Sequence, residues 1–189
     1  MALILASESP IRRQMLDAAG VGHRVAPADI DESALKAAGA DALGLAEAKA
    51  LAVSAGQPED WVIGSDSMIT VAGRRFDKPA GRAQAAEHLR FFSGKTMILT
   101  SAVALARYGK VDWGIADEAR LEVRDLSDSF IDYYLDAEWP EVGYCVGVFR
   151  MEGRGIQLFS EVDGSHFTIL GMPLLPLLGA LRDRALVAA

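Results

Sequence analysis

The chain has 189 residues, 51% of them apolar and 24% charged, a globular composition rather than a disordered or fibrous one. Its 19 basic and 26 acidic residues leave a net charge of −7. That balance argues against a broad nucleic-acid surface, but not against a cleft that gathers a few cations around a phosphate-bearing small molecule. One cysteine, Cys145, excludes an internal disulfide and any multi-cysteine zinc site. The opening MALILASESP carries no secretory signal, and the apolar runs stop well short of the roughly 20 residues of a membrane span. A cytoplasmic location without a membrane partner is therefore expected. A single domain over residues 1–189 is expected too, with enough chain to bury a core unaided.

Leu3-Ile4-Leu5-Ala6 reads as a short buried strand. Ser9 as N-cap and Pro10 at the first helical position predict a helix to Ala19, closed by Gly20. Val21 to Ala26 reads as a second strand, and Asp31-Glu32 as a loop or a helix start. Residues 41–55 predict a helix of strong formers ending at Gly56. Trp61 to Ser65 reads as an apolar strand resumed by Met68 to Val71 after a polar break at Asp66-Ser67. Ala72-Gly73 predicts a hairpin turn. A helix over 81–92 follows, then strands over Met97–Ala106 and Ala116–Leu126. Ser127 caps a helix to Asp136. Strands are predicted for Tyr144–Phe149 and Ile156–Val162, and a helix for Pro173–Ala188. The interleaving gives an α/β class with a mixed central sheet flanked by helices.

Four clusters could carry chemistry. In ASESPIRR, Arg12 and Arg13 fall in a helix's first turn, where the dipole disfavours each cation by about 0.3–1 kcal/mol. A bound anion would offset that, with free backbone N–H groups and the hydroxyls of Ser7 and Ser9 as further donors; two solvated arginines are the plainer reading. Lys49 falls within an apolar helical stripe, so it either snorkels to the rim or faces a ligand. Asp66, between the apolar runs WVIG and MITV, could bind a divalent metal or act as a base toward water, or be an ordinary turn residue. Arg74, Arg75 and Lys78 form a local positive patch in which Pro79 restrains Lys78, or else a solvated hairpin loop. Ser93-Gly94-Lys95-Thr96 mimics the end of a phosphate-binding loop, but Leu89 replaces the first glycine and a strand follows instead of a helix. The three histidines are too scattered for a zinc site or a Ser-His-Asp triad. Cys145 reads as inert packing within an apolar strand.

Together these pieces resemble the Maf-like nucleotide pyrophosphatases. LILASESPIRRQMLDAAG is similar to their LILAS-x-SPRR-x-x-LL opening and VIGSDSMI to their vig-x-D strand. FDKPAGRAQAAEHLRFFSGKTMILTSAVAL and VDGSHFTILGMPLLPLL are similar to their later blocks, in the same order along nearly the whole chain. The resemblance implies two lobes with a cleft between them, a homodimer, and hydrolysis of nucleoside triphosphates to monophosphate and pyrophosphate. It implies no stable nucleic-acid complex, and a house-cleaning task of keeping non-canonical nucleotides out of nucleic acids. Carried over by position, it assigns Ser7, Ser9, Arg12 and Arg13 to phosphate binding. Asp66 becomes the proton acceptor, with Lys49 and Lys78 as catalytic cations. Glu32 and Asp66 become ligands of Mg²⁺ or Mn²⁺, with Glu32 assigned mainly by the resemblance.

Substrate choice separates two branches of that family. The dTTP/UTP branch has Arg and Thr where this chain has Ile11 and Ser67, and a glutamine strand that is absent here. VGVFRMEGRGIQLF instead resembles the branch acting on 7-methyl-GTP and puts Glu152 in the specificity position. A carboxylate there accepts hydrogen bonds from N1–H and the exocyclic amine of guanine, which a pyrimidine does not offer. The dTTP/UTP branch, and a non-catalytic nucleotide-binding regulator of septum formation, stand as alternatives.

Overall fold

A computed structural model of the chain describes residues 2–188. Its elements follow one another as β1 (Leu3–Leu5), α1 (Pro10–Ala18), β2 (Arg24–Val25), α2 (Glu32–Ala37), α3 (Ala42–Gly56), β3 (Trp61–Val71) and β4 (Arg74–Phe76). There follow α4 (Arg82–Phe92), β5 (Thr96–Arg107), β6 (Lys110–Val123), α5 (Asp128–Glu138), β7 (Phe159–Asp163), α6 (His166–Ile169) and α7 (Leu174–Asp183). The strands form one mixed sheet in the order β2-β1-β3-β5-β6-β7, with β4 paired to β3. β1 pairs in parallel with both β2 and β3, whereas β3–β4 and β6–β7 are antiparallel. The expected α/β class with a mixed sheet and flanking helices is what forms.

The chain divides into two compact units. One holds residues through Ser67, Thr100–Asp117 and the segment from Ser165 on; the other holds Met68–Leu99 and Glu118–Gly164. Strands β3, β5 and β6 each pass from one unit into the other.

In the first unit, strand alternation sorts the apolar run at the start onto two faces. Leu3 and Leu5 pack with Met15 and Leu16 of α1, Ile63 of β3, and Leu177 and Leu181 of α7. Ile4 and Ala6 pack with Val62 and with Ala50 and Val53 of α3. Both faces are covered, which is why β1 reads as continuously apolar. Gly64 brings α3 unusually close to β3: a Cβ on it would lie 2.0 Å from the Ala46 carbonyl oxygen and 2.7 Å from the Ala50 nitrogen. In the second unit, Phe76 meets His88 at 5.1 Å and Phe92 at 4.8 Å between ring centroids, which joins the β3–β4 hairpin to α4. The hairpin turns through Ala72 and Gly73, both at positive φ, as its two-residue length requires.

Several expected boundaries shift. β3 runs unbroken through Asp66-Ser67, because the side chains there find partners on both faces of the sheet. Tyr144–Phe149 is not a strand: a 3₁₀ turn over Glu141–Tyr144 is followed by an irregular loop in which Val148 sits at φ 55°. Val142, Val148 and Phe149 are nevertheless buried, so the apolar signal there reports burial rather than a ladder. Residues Arg154–Leu158 form a second 3₁₀ turn, and the strand expected from Ile156 starts at Phe159. β2 shortens to two residues, β6 starts six residues earlier than expected, at Lys110, and α7 ends at Asp183. Among the described residues no helix is long and apolar enough to cross a membrane.

Candidate active site

The site is built in the first unit around Asp66, in the middle of β3. Alternation sends Val62, Gly64 and Asp66 toward α3, and Ile63, Ser65 and Ser67 toward α1 and the segment before α7. Because Gly64 lets α3 close on the strand, Lys49 reaches the neighbouring carboxylate, and its Nζ donates to Asp66 Oδ1 at 2.6 Å. The same ammonium lies 2.7 Å from Glu32 Oε1. Asp31 caps α2 by accepting from the Ala34 N–H at 3.0 Å, which starts the helix at Glu32 and sets that carboxylate in place. Asp66 and the Lys49 side chain are nearly buried, at 7% and 11% exposure, while the Glu32 side chain is partly open at 41%. One ammonium is thus held between two carboxylates, a trio of formal charge −1.

On the opposite face of β3, Arg12 is 8% exposed and spends its donors on the protein itself. Nε donates to the Gly171 carbonyl at 2.9 Å, Nη1 to the Ser65 carbonyl at 2.8 Å and to Ser7 Oγ at 3.3 Å, and Nη2 to Ser67 Oγ at 3.0 Å. Burial holds its pKa below the ordinary arginine value; the charges of Asp66 and Glu32 oppose that shift. Ser65 and Ser67 also donate to the Gly171 carbonyl, at 3.1 and 3.2 Å. Ser67 shares a 2.9 Å hydrogen bond with Ser101, which donates to the Thr168 carbonyl at 2.7 Å, and Thr168 Oγ1 donates to Asp117. This buried polar network pins β1, α1, β3, β5 and the segment before α7 behind the carboxylate.

Ser7, Arg12, Glu32, Lys49, Asp66 and Ser67 are therefore brought together. The expected gathering of cations around Asp66 holds for Lys49, whereas Arg12 is committed to the backbone on the other face. Arg13 is exposed and Ile11 partly buried on the same turn. Ser9 holds the N-cap position without a side-chain cap bond; its N–H donates to Ser7 Oγ at 3.2 Å. Lys78 and Glu152 belong to the second unit and are exposed there, and both act electrostatically on Cys145. That thiol is pushed up to about 11, by burial first and then by Glu152, which disfavours the thiolate, and it lies in a bend and not in the expected strand. Lys95 of the loop-like SGKT segment donates to the Phe91 carbonyl at 2.6 Å and Thr96 to Glu122, so neither residue is arranged as a phosphate cradle.

Sequence reasoning missed Ser65, Ser101, Thr168 and the Gly171 carbonyl. A serine inside the apolar run of β5 was the one visible signal for Ser101; a backbone carbonyl leaves none.

Glu32 and Asp66 already share one cation, and their hard oxygen donors suit Mg²⁺ or Mn²⁺. Among the described residues no group of three or more Asp, Glu, His or Cys side chains could hold a metal. Two carboxylates do match a magnesium-type ion that completes its shell with water and substrate phosphates.

An α/β sheet with a buried arginine on one face of a central strand, and an ammonium shared by two carboxylates on the other, defines a charged site of mixed sign. The chain matches the family model described as Maf-like protein over residues 2–184 and belongs to that family. It is 45% identical to the nucleoside triphosphate pyrophosphatase of Nitrobacter winogradskyi, covering 98% of this chain and 95% of that protein. It is 46% identical to the 7-methyl-GTP pyrophosphatase of Rhizobium etli (96% and 95% covered) and 44% identical to that of Rhizobium meliloti (99% and 98% covered).

Proposed function

We propose that the chain is a nucleoside triphosphate pyrophosphatase that releases pyrophosphate and a nucleoside monophosphate, with 7-methyl-GTP or a related modified purine nucleotide as substrate. The observation that carries this reading is the Lys49 ammonium shared by Glu32 and Asp66. The names of the relatives, covered almost end to end, support the reaction, and two of them support the substrate.

Water attacks the α-phosphorus: a new O–P bond forms, the bond from that phosphorus to the bridging oxygen breaks, and pyrophosphate departs. Asp66 orients the water and takes its proton; the bond from Lys49 to Oδ1 holds that carboxylate in a fixed orientation. Lys49, Arg13 and Lys78 neutralise phosphate oxygens, and positioning with charge stabilisation supplies most of the rate, as in other phosphoryl chemistry. Glu32 and Asp66 would hold a divalent metal, which when bound neutralises the triphosphate and the leaving group. Arg12 acts as a positioning residue that holds Ser65, Ser67 and Gly171 behind the carboxylate. Glu152 accepts from the guanine edge. The working form is taken as a cytoplasmic homodimer, which sedimentation of the purified chain tests for assembly.

The test is pyrophosphate release from 7-methyl-GTP, GTP, dTTP and UTP, with Mg²⁺ or Mn²⁺ and with chelator. Metal-dependent release, fastest from 7-methyl-GTP, is expected. No release from any nucleotide refutes the activity; faster release from dTTP or UTP refutes the substrate.

A further inference from the structure

In the second unit, the last residue of α5, Glu138, is 9% exposed. Two guanidinium groups lie against it: Arg150 Nη2 is 3.6 Å from Oε2 and Arg154 Nε is 3.9 Å from Oε1; Arg150 also lies 3.8 Å from Glu141 Oε2, and Arg154 donates to the Tyr133 hydroxyl at 3.3 Å. Both arginines belong to the short segment that carries Glu152 between them. The contacts with Glu138 are ion pairs without hydrogen-bond geometry, and Glu138 Oε2 and Arg150 Nε are buried without a hydrogen-bond partner. The segment is held tightly: a Cβ on Gly153 would lie 3.1 Å from Glu138 Oε2, and one on Gly155 would lie 2.5 Å from the Arg150 carbonyl oxygen. Glu152 itself is exposed and forms no hydrogen bond or ion pair among the described residues.

A carboxylate flanked in sequence by two arginines would ordinarily be captured by one of them. We propose that Glu138 is a positioning residue for substrate selection: it occupies Arg154 and, together with Glu141, Arg150, and so leaves the Glu152 carboxylate free for the base of the nucleotide. The inference rests on the reading of Glu152 given under the proposed function. In Glu138→Gln the charge that occupies Arg154 and shares Arg150 with Glu141 is gone and the shape is kept. Arg154, and Arg150 in competition with Glu141, can then turn to Glu152, which would act on recognition of the purine and not on the chemistry at phosphorus.

The experiment is steady-state kinetics of the full chain with 7-methyl-GTP and dTTP, for the parent, Glu138→Gln, Glu138→Asp, Glu152→Gln and the double variant Glu138→Gln/Glu152→Gln, each checked by thermal unfolding. For Glu138→Gln, an approximately tenfold rise in KM for 7-methyl-GTP is expected, with kcat within about twofold and with dTTP kinetics unmoved. Glu138→Asp is expected to restore most of the selectivity. The double variant is expected to be no less selective than Glu152→Gln alone, because both changes remove one recognition. Equal losses on both nucleotides, or additive losses in the double variant, would overturn the inference. So would an unchanged selectivity ratio in Glu138→Gln when the parent is selective and Glu152→Gln is not; the reading of Glu152 would then stand. A parent without selectivity, or a fully selective Glu152→Gln, removes that reading and this inference together. If Glu138→Gln fails to fold, Arg154→Met removes one of the two cations that could capture Glu152. Combined with Glu138→Asp it must then be at least as selective as the parent, and a loss of selectivity would overturn the inference.

Discussion

Replacing Arg12 by methionine separates two roles for this guanidinium, ligand clamp and internal brace. Methionine keeps much of the side-chain length and removes every donor. The Gly171 carbonyl retains Ser65 and Ser67 as donors, so it stays satisfied. The Ser65 carbonyl, Ser7 and Ser67 each lose the bond they receive from Arg12. A hydrogen bond to a charged group is worth about 1.5–3 kcal/mol, and a buried acceptor left bare costs about 1–3 kcal/mol. Relief of the burial that depresses the Arg12 pKa works the other way, while loss of attraction to Asp66 and Glu32 adds to the cost. The three partners left without that bond are neutral, so no bare charge remains, and their lost bonds together cost about 3–5 kcal/mol. For a chain of this length each kcal/mol moves Tm by about 2–4 °C, so even the lower figure predicts a fall of roughly 6–12 °C. Calorimetry of the parent and Arg12→Met measures it. A Tm within about 2 °C of the parent, together with lost turnover, would refute the brace and return Arg12 to the phosphate.

Asp66→Asn should leave the circular dichroism spectrum unchanged and cut pyrophosphate release by orders of magnitude; near-normal release would remove Asp66 as the base. Gly64→Ala should lower Tm by at least roughly 6 °C, because the new methyl meets backbone atoms of α3 that cannot swing aside. An unchanged melting temperature would show that α3 moves off the strand at little cost, and with it Lys49. Burial, reinforced by Arg74, lowers the pKa of His88 below 6.5. Between those two values the unfolded chain binds the extra proton, so this stability is complete above about pH 6.5 and is lost as pH falls toward the folded value. Urea midpoints at about pH 7.5 and about pH 5 should therefore fall further in the parent than in His88→Leu, and equal falls would refute the assignment.

The local rules carried far along this chain. Ser127 accepts from the Phe130 N–H, as an N-cap should, and Pro10, Asp41 and the Ala72-Gly73 turn mark their elements where local chemistry places them. Asp66 and Lys49 were legible because each is a charge interrupting an apolar pattern, and such a charge needs a partner. Their being each other's partner was not legible, because 17 residues separate them and the contact depends on the missing side chain of Gly64. Residues 144–149 read as a strand because burial, not ladder geometry, selects apolar residues, and only the packed chain tells the two apart. The two arginines of the opening look alike in sequence. Tertiary structure parts them: strand alternation turns Ser65 and Ser67 toward α1, and their acceptors, with the Gly171 carbonyl from 159 residues away, take up Arg12 while Arg13 stays in solvent. Composition and periodicity settle which residues must be buried or paired; only the three-dimensional path of the backbone settles with whom, because hydrogen bonds and ion pairs act over a few ångströms while the partners are far apart in the chain.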